Sequence, residues 1–249
     1  NADSAAWDFQ GYISGARIIR GYAAYTANFT LPTAPFTSPI TTPASLLLNF
    51  TNGGVVDAHS SNNVETVGNA QLSTAVKKYG NASIYFDGTG DYIDVPNDVS
   101  NQLSGAVYTI EMWLYPTVGG VERRIFNKNG ASTYGWLLSI STTDTIQFRT
   151  DSTNLSGGAL TAPVNQWTHV AVTHDGTTTR IFVNGQLSTS ATGVTITNAN
   201  ELGVMRIGSR AYQTGSFNYT GYMDDIRITK GVARYTANFT PPTTGHLGL

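Results

Sequence analysis

Asp87 and Asp91 bracket the turn Asp87-Gly-Thr-Gly-Asp91, and Asp224 opens an acidic pair in Gly221-Tyr-Met-Asp-Asp225. Carboxylates on a kinked, Gly-rich loop are hard oxygen donors, and Ca2+ accepts about six to eight such ligands in flexible geometry. The same side chains can instead stabilise a turn by accepting nearby backbone N–H groups, so both readings stay open. Glycoside hydrolysis has a different requirement: two carboxyl groups, about 5 Å apart in a retaining enzyme. The run Tyr108–Leu114 offers Glu111 alone, with Trp113 and Tyr115 beyond it, while Glu65, Glu122 and Glu201 fall in segments that read as loops. His169 and His174 share one run without a Ser or Cys nucleophile motif beside them. No Gly-x-Ser-x-Gly, phosphate loop or zinc-type His spacing occurs. The residues therefore point to a protein that is not an enzyme.

Sugar recognition asks for aromatic faces flanked by amides, hydroxyls and guanidinium groups. Trp113, Tyr134, Trp136, Gln147 and Arg149 lie on segments that read as strands, and Arg210, Tyr212 and Tyr219 lie in or beside the loop before the last strand. Strand aromatics serve equally well as core, because half of each strand in a sandwich faces inward. Loops concentrate binding residues. The carbohydrate-binding candidates are Arg210, Tyr212, Tyr219 and Trp136.

The elements that must position these residues are strands. Ala82–Phe86, Tyr92–Val95, Val107–Tyr115, Tyr134–Ile140, Thr145–Arg149, Trp167–His174 and Arg180–Val183 are short apolar or alternating runs separated by turn residues. Within Val107–Tyr115, Ile110, Met112 and Leu114 share one face, and Thr109, Glu111 and Trp113 the other. Asn184-Gly185 is a strong hairpin signal. Val64–Lys78 is the one stretch expected to hold a helical turn or two. This pattern predicts an all-β, antiparallel two-sheet sandwich or jelly roll.

Composition agrees and removes other classes. The chain has 249 residues, no Cys, and a formal net charge of −2 from 14 basic and 16 acidic residues. Without cysteine there is no disulfide framework and no thiolate chemistry. No basic run supplies the footprint of a nucleic-acid binder, and no apolar run reaches the length of a membrane span. The first residue is Asn1 rather than Met, so a processed chain or a fragment is expected.

The chain also repeats itself. Residues 11–33 align without a gap on residues 221–243, with 14 of 23 positions identical, including all of Tyr-Thr-Ala-Asn-Phe-Thr. A self-match at a long fixed offset signals tandem domains. Residues 1–44 thus read as the terminal strand of a preceding repeat plus a Pro/Thr-rich linker, and residues 45–249 as a complete domain beginning at Ser45–Phe50. An unpaired strand at residues 11–20 would expose backbone donors and acceptors. It can fold back along an edge or face of its own domain or add to the sheet of a neighbouring copy or an adjacent virion or fibre protein, and the second is expected.

Phe86-Asp-Gly-Thr-Gly-Asp-Tyr-Ile-Asp-Val-Pro96, Tyr108-Thr-Ile-Glu-Met-Trp-Leu114, Trp167-Thr-His-Val-Ala-Val-Thr173, Arg180-Ile-Phe-Val-Asn-Gly185 and Gly221-Tyr-Met-Asp-Asp-Ile-Arg-Ile228 occur in that order. Together they resemble the laminin-G-like branch of the concanavalin A-like lectin and glucanase superfamily, over roughly residues 45–243. The resemblance implies a jelly-roll sandwich. It also implies that the Asp87–Asp91 turn meets the closing strand around a structural Ca2+, making Asp87, Asp91 and Asp224 the expected metal ligands. Glucanases of this superfamily carry acidic residues at alternate positions of one strand, a pattern that the Glu111 strand lacks. The tail Tyr235-Thr-Ala-Asn-Phe-Thr-Pro-Pro-Thr243 is similar to tandem laminin-G-like domains of bacteriophage virion and tail proteins. The implied function is a lectin-like module outside the cell, on a phage virion or tail, that binds host-surface glycans or decorates the particle. The alternative is a structural subunit of an extracellular fibre or adhesin assembled through the N-terminal strand.

Overall fold

In a computed structural model of the chain, residues 16–18, 27–29, 46–48, 64–129, 134–211 and 217–245 are described. The chain divides into two units, Asn1–Gly53 and Gly54–Leu249. In the first, β1 (Ala16–Ile18) pairs antiparallel with β2 (Leu46–Leu48), placing Arg17 opposite Leu47. The apolar Leu46–Leu48 run belongs to the first unit rather than opening the second, and β1 finds its backbone partner within its own unit. Residues 27–29 of the first repeat copy are exposed, Phe29 at 51 %.

The second unit is a two-sheet β-sandwich. Its early strands are β3 (Glu65–Val67), β4 (Gln71–Ser73), β5 (Ser83–Asp87), β6 (Tyr92–Val95), β7 (Tyr108–Pro116) and β8 (Arg123–Asn129). Then come β9 (Tyr134–Ile140), β10 (Thr145–Thr150), β11 (Asn154–Thr161), β12 (Thr168–His174) and β13 (Thr178–Val183). β14 (Gln186–Thr192), β15 (Met205–Ile207) and β16 (Thr220–Lys230) complete it. One sheet runs β11-β10-β9-β8-β15-β6-β3 and the other β14-β13-β12-β7-β16-β5-β4, all pairs antiparallel. Within Val64–Lys78, where helical turns were expected, Glu65–Val67 and Gln71–Ser73 instead form two short strands, one in each sheet, with a turn at Gly68, whose φ is 73°.

Alternation builds the core. Ile110, Met112 and Leu114 of β7, Val170 and Val172 of β12, and Ile181 and Val183 of β13 meet Trp136, Leu138, Ile146 and Phe148 from the facing sheet. Asn184 and Gly185, at φ 50° and 77°, make the β13–β14 hairpin turn that Asn-Gly predicts. Gly185 is required twice over: a Cβ there would lie 1.9 Å from the Phe239 carbonyl oxygen.

Candidate functional site

A sandwich has two outward faces, and this chain treats them differently. On the β14…β4 sheet the outward residues Thr109, Glu111, Trp113, His169, Ala171, Thr173 and Phe182 are all buried, whereas Tyr85, Tyr115 and Tyr222, in one row further along the sheet, are half-buried. Lys78 and Tyr79 cover Trp113, and the chain's own tail after β16 covers the residues beside it. Thr173 Oγ1 donates to the Tyr235 carbonyl at 2.8 Å and Thr109 Oγ1 to the Val232 carbonyl at 2.9 Å. Phe239 N donates to Gly185 O at 2.9 Å, and Leu187 N to Asn238 Oδ1 at 2.8 Å. The Tyr235 and Phe239 rings stack at 3.5 Å, and Phe239 meets Phe182 edge-on at 5.4 Å and His169 at 5.7 Å.

Glu111 lies beneath this strap with no exposed surface. Arg227 Nε and Nη2 donate to its Oε1 at 2.9 and 2.6 Å, Tyr235 Oη donates to Oε2 at 2.8 Å, and His169 Nε2 stands 3.6 Å from Oε2. Burial works to raise its pKa, but the contacts from His169, Arg227 and Tyr235 and the Arg227 charge outweigh it and hold the carboxyl at about 2. Its described partners include no carboxylate. A sealed, ionised glutamate so held ties the tail to β7 as a structural anchor.

The expected metal ligands do not assemble. Asp91, fully buried, accepts Asn69 N on Oδ1 and Asp87 N on Oδ2, each at 2.6 Å. Asp87 accepts Thr89 N at 2.6 Å and Asn69 Nδ2 at 3.3 Å, and these bonds lower its pKa. Asp224 Oδ2 accepts Lys78 N and Tyr79 N at 2.8 and 3.0 Å. Asp87 pairs with Thr220, which puts Asp224 about 13 Å further along the ladder at roughly 3.3 Å per residue. Among the described residues no three His, Cys, Asp or Glu side chains gather closely enough for a metal ion. Asp87, Asp91 and Asp224 thus do not converge on one point in the described structure; each braces a turn or a crossing loop.

Two of the sugar-binding candidates are core residues. Trp136 is completely buried, with Phe126 and Phe148 beside it, and donates Nε1 to Glu201 Oε1 at 2.9 Å. Tyr219 is also completely buried, edge-on to Phe86 and donating its hydroxyl to Tyr222 O at 3.1 Å; burial pushes its phenol pKa up. Neither ring can stack on a sugar, because no face reaches solvent. Tyr212 lies outside the described residues. Arg210 remains at the surface, half-buried.

Arg210 borders the other outward face, on the β11…β3 sheet. The register sets one row across it, Glu65–Asp94–Arg206–Asn127–Leu137–Arg149–Asn154. A second, shorter row runs Arg124–Ser139–Gln147–Ser156. Arg206 forks onto Asp94 through Nε and Nη2, both at 2.8 Å, and its guanidinium lies 3.5 Å over the Tyr92 ring. Arg206 Nη1 donates to Arg210 O at 3.3 Å. The guanidinium groups of Arg124 and Arg210 lie 4.6 and 5.7 Å over the same Phe217 ring. Phe217 is held at φ 60°, a strained angle for a bulky residue.

Glu122 Oε1 accepts Arg124 Nη1 and stands 3.5 Å from Arg149 Nη2. Arg149 also donates to Gln147 Oε1 at 2.7 Å and Asn154 Oδ1 at 3.2 Å. Rings and forks alternate along this face. Tyr92, Asp94, Glu122, Arg124, Arg206 and Phe217 were not among the candidates read from the sequence. The alternation of Tyr92 and Asp94 with Ile93 and Val95 placed that pair on an outward face, but nothing local linked it to Phe217.

A separate cavity of about 450 Å³ lies among Leu103, Tyr108, His174, Val194 and Ile196. Tyr108 stacks on His174 at 5.4 Å, and burial lowers the His174 pKa. The cavity lining carries no carboxylate or guanidinium group.

No curated protein matches the chain in sequence. Among solved structures, domain 4 of AbnA, a GH43 extracellular arabinanase from Geobacillus stearothermophilus solved in complex with arabinotriose, is similar over 68 % of this chain and 82 % of its own. Its TM-score is 0.52, at 18 % identity. The binding domain of Paraclostridial Mosquitocidal Protein 1 matches with TM-score 0.56 and 15 % identity, over 75 % of this chain and 48 % of that one. The botulinum neurotoxin serotype D binding domain gives 0.52 and 17 %, over 73 % and 45 %. The chain thus spans under half the length of either toxin domain. At these identities the likeness concerns the fold. The sequence family described as the concanavalin A-like lectin/glucanases superfamily, of laminin-G type, matches residues 87–234. That is more than half the chain, and with the two-sheet sandwich around it, this chain belongs to the concanavalin A-like lectin/glucanases superfamily.

Proposed function

We propose that the chain is a non-enzymatic, lectin-like module that binds glycans through the outward face of the β11…β3 sheet. One observation carries this reading. Of the two outward faces, the β14…β4 face is covered over β7, β12 and β13 by the chain's own tail, with Phe239 and Tyr235 stacked there. The other face presents the rings of Tyr92 and Phe217 beside guanidinium, amide and hydroxyl groups. Planar rings receive sugar C–H faces while forked donors and amides receive hydroxyls, which is the chemistry of carbohydrate recognition. Two similar structures lend support, an arabinanase domain holding arabinotriose and a toxin binding domain.

The tail repeat supports an extracellular setting on a phage virion or tail, with host-surface glycans as partners. A fibre subunit assembled through residues 11–20 is less favoured, because Ala16–Ile18 already pairs with Leu46–Leu48. Among the described residues no helix is long and apolar enough to cross a membrane.

A glycan array with the whole chain and with Tyr92→Ala tests the reading. Retention of at least one glycan class, weakened by the substitution while far-ultraviolet circular dichroism stays unchanged, is expected. No retention of any glycan, or β-glucan hydrolysis that Glu111→Gln abolishes, would overturn it.

A further inference from the structure

Lys128, on β8, is completely buried. Its amine meets two neutral amides rather than a carboxylate: Nζ donates to Asn101 Oδ1 at 2.6 Å and to Asn97 Oδ1 at 2.9 Å. A buried ammonium without a paired counter-charge is unfavourable. Burial accordingly holds its pKa at about 8, below the usual lysine range, although the charges of Glu201 and Asp98 work against the shift. Much of the amine is then uncharged in mildly alkaline solution, and an uncharged amine is a nucleophile.

Asn101 is the electrophile that this nucleophile faces. It ends the helical turn Val99–Asn101 and is buried, completing the capping box with Asp98. Asp98 N donates to its Oδ1 at 3.3 Å, and its Nδ2 donates to Pro96 O at 2.8 Å. Glu201, also completely buried, clamps the surrounding elements together. Its carboxylate accepts Leu103 N and Ser104 N at 2.8 and 2.7 Å, and Trp136 Nε1 at 2.9 Å. Trp136 stands opposite Lys128 in the β8–β9 ladder, so the segment carrying Asn101 is fixed against the strand carrying Lys128. A carbonyl bond is about 1.23 Å long, which puts Nζ within about 3.8 Å of the amide carbon, close to the separation of a near-attack pair. Asn97, by contrast, is exposed.

We infer that Lys128 and Asn101 join in an intramolecular isopeptide bond, formed by the chain itself once folded. The uncharged Nζ attacks Cγ of Asn101 after the amide turns about its Cβ–Cγ bond, a soft torsion. The Nζ–Cγ bond forms and the carbonyl electrons move onto Oδ1, where Asp98 N is placed to donate. One proton passes from Nζ to Nδ2, the carbonyl re-forms, the Cγ–Nδ2 bond breaks and ammonia leaves. One amide replaces another, so nothing is oxidised or reduced and no net proton is consumed. Burial keeps water from competing for the amide. The bond ties β8 to a turn 27 residues earlier. A crosslink restricts the unfolded chain, and a sequence without Cys cannot obtain one from a disulfide. The staple is independent of whether the module binds a glycan.

Electrospray mass spectrometry of the whole chain, folded and then denatured, reads the bond directly. The expected mass is that of the sequence less one ammonia, and trypsin should release a branched peptide joining Lys128 to Asn101. Lys128→Met and Asn101→Ala should each show no such loss and no branch. Chain isolated unfolded from inclusion bodies and refolded over a series of pH values should lose ammonia faster as the pH rises through about 8, where Lys128 gives up its proton. The full sequence mass in folded wild-type chain would overturn the inference. So would a branch at Asn97, or an ammonia loss carried by Asn184 as a succinimide with no branched peptide. The decisive readouts need only the wild-type chain, so a variant that fails to fold leaves the test intact.

Discussion

Replacing Glu111 by Gln tests whether the tail is truly anchored through a buried charge. The carboxylate has no exposed surface and receives two bonds from Arg227 and one from Tyr235. Its pKa of about 2 in the fold, against an ordinary 4.5, is a depressed value. The stability it contributes is therefore complete above pH 4.5 and is lost as the pH falls through 2. At 1.36 kcal/mol per pH unit this linkage amounts to about 3 kcal/mol. The amide keeps the shape of the side chain but removes the counter-charge of Arg227 and turns an NH2 group towards a donor. Breaking a buried pair from one side costs about 3–5 kcal/mol, and the 29 % exposure of Arg227 places the expected loss at the low end, about 3 kcal/mol at pH 7. Urea unfolding followed by tryptophan fluorescence at pH 7, 5, 3 and 2 reads both quantities. The wild-type chain should lose stability most steeply below pH 4.5, and Glu111→Gln should be weaker at pH 7 with a shallower acid slope. Equal midpoints at pH 7, or parallel acid slopes, would refute the reasoning.

Phe239→Ala removes the ring that stacks on Tyr235 and closes over Phe182 and His169; because it is half-buried, a loss of about 2 kcal/mol in urea unfolding is expected, and an unchanged midpoint would mean that the tail is not docked in solution. Asp224→Ala strips the acceptor from Lys78 N and Tyr79 N and should cost about 1–3 kcal/mol. That cost should be the same with calcium or EDTA present, and a wild-type melting temperature that falls on chelation would restore a metal site. Deleting residues 1–40 should leave the oligomeric state unchanged by light scattering, since Ala16–Ile18 is already paired at home; a drop in mass would revive the assembly arm.

The sandwich was legible because it depends on local alternation. Ile110, Met112 and Leu114 had to share a face, Asn184-Gly185 had to turn, and both did. The repeat also marked its tail as special, and the structure gives the reason. Tyr235, Asn238 and Phe239 make the strap's contacts and Arg227 pairs with Glu111, and all four are identical in the first copy as Tyr25, Asn28, Phe29 and Arg17.

What period two leaves undecided is which outward face a distant segment will cover. Glu111 and Trp113 alternate like solvent-facing residues, and only distant segments bury them, the tail more than a hundred residues later over Glu111 and Lys78–Tyr79 over Trp113. Trp136 and Tyr219 carry the chemistry of sugar platforms, yet they are core because Glu201 and the Tyr222 carbonyl satisfy their polar tips inside. Asp224 belongs to the same closing strand that meets the Asp87 turn, but lateral register places it beside Lys78 and Tyr79. The arginine cluster draws on β8, β10, β15 and the loop after β15, joined by hydrogen-bond register between strands far apart in the chain. Side-chain alternation is a property of one strand and can be read from its residues. Neighbour order and register belong to the whole sheet, and so only the tertiary structure decided which residues share the open face.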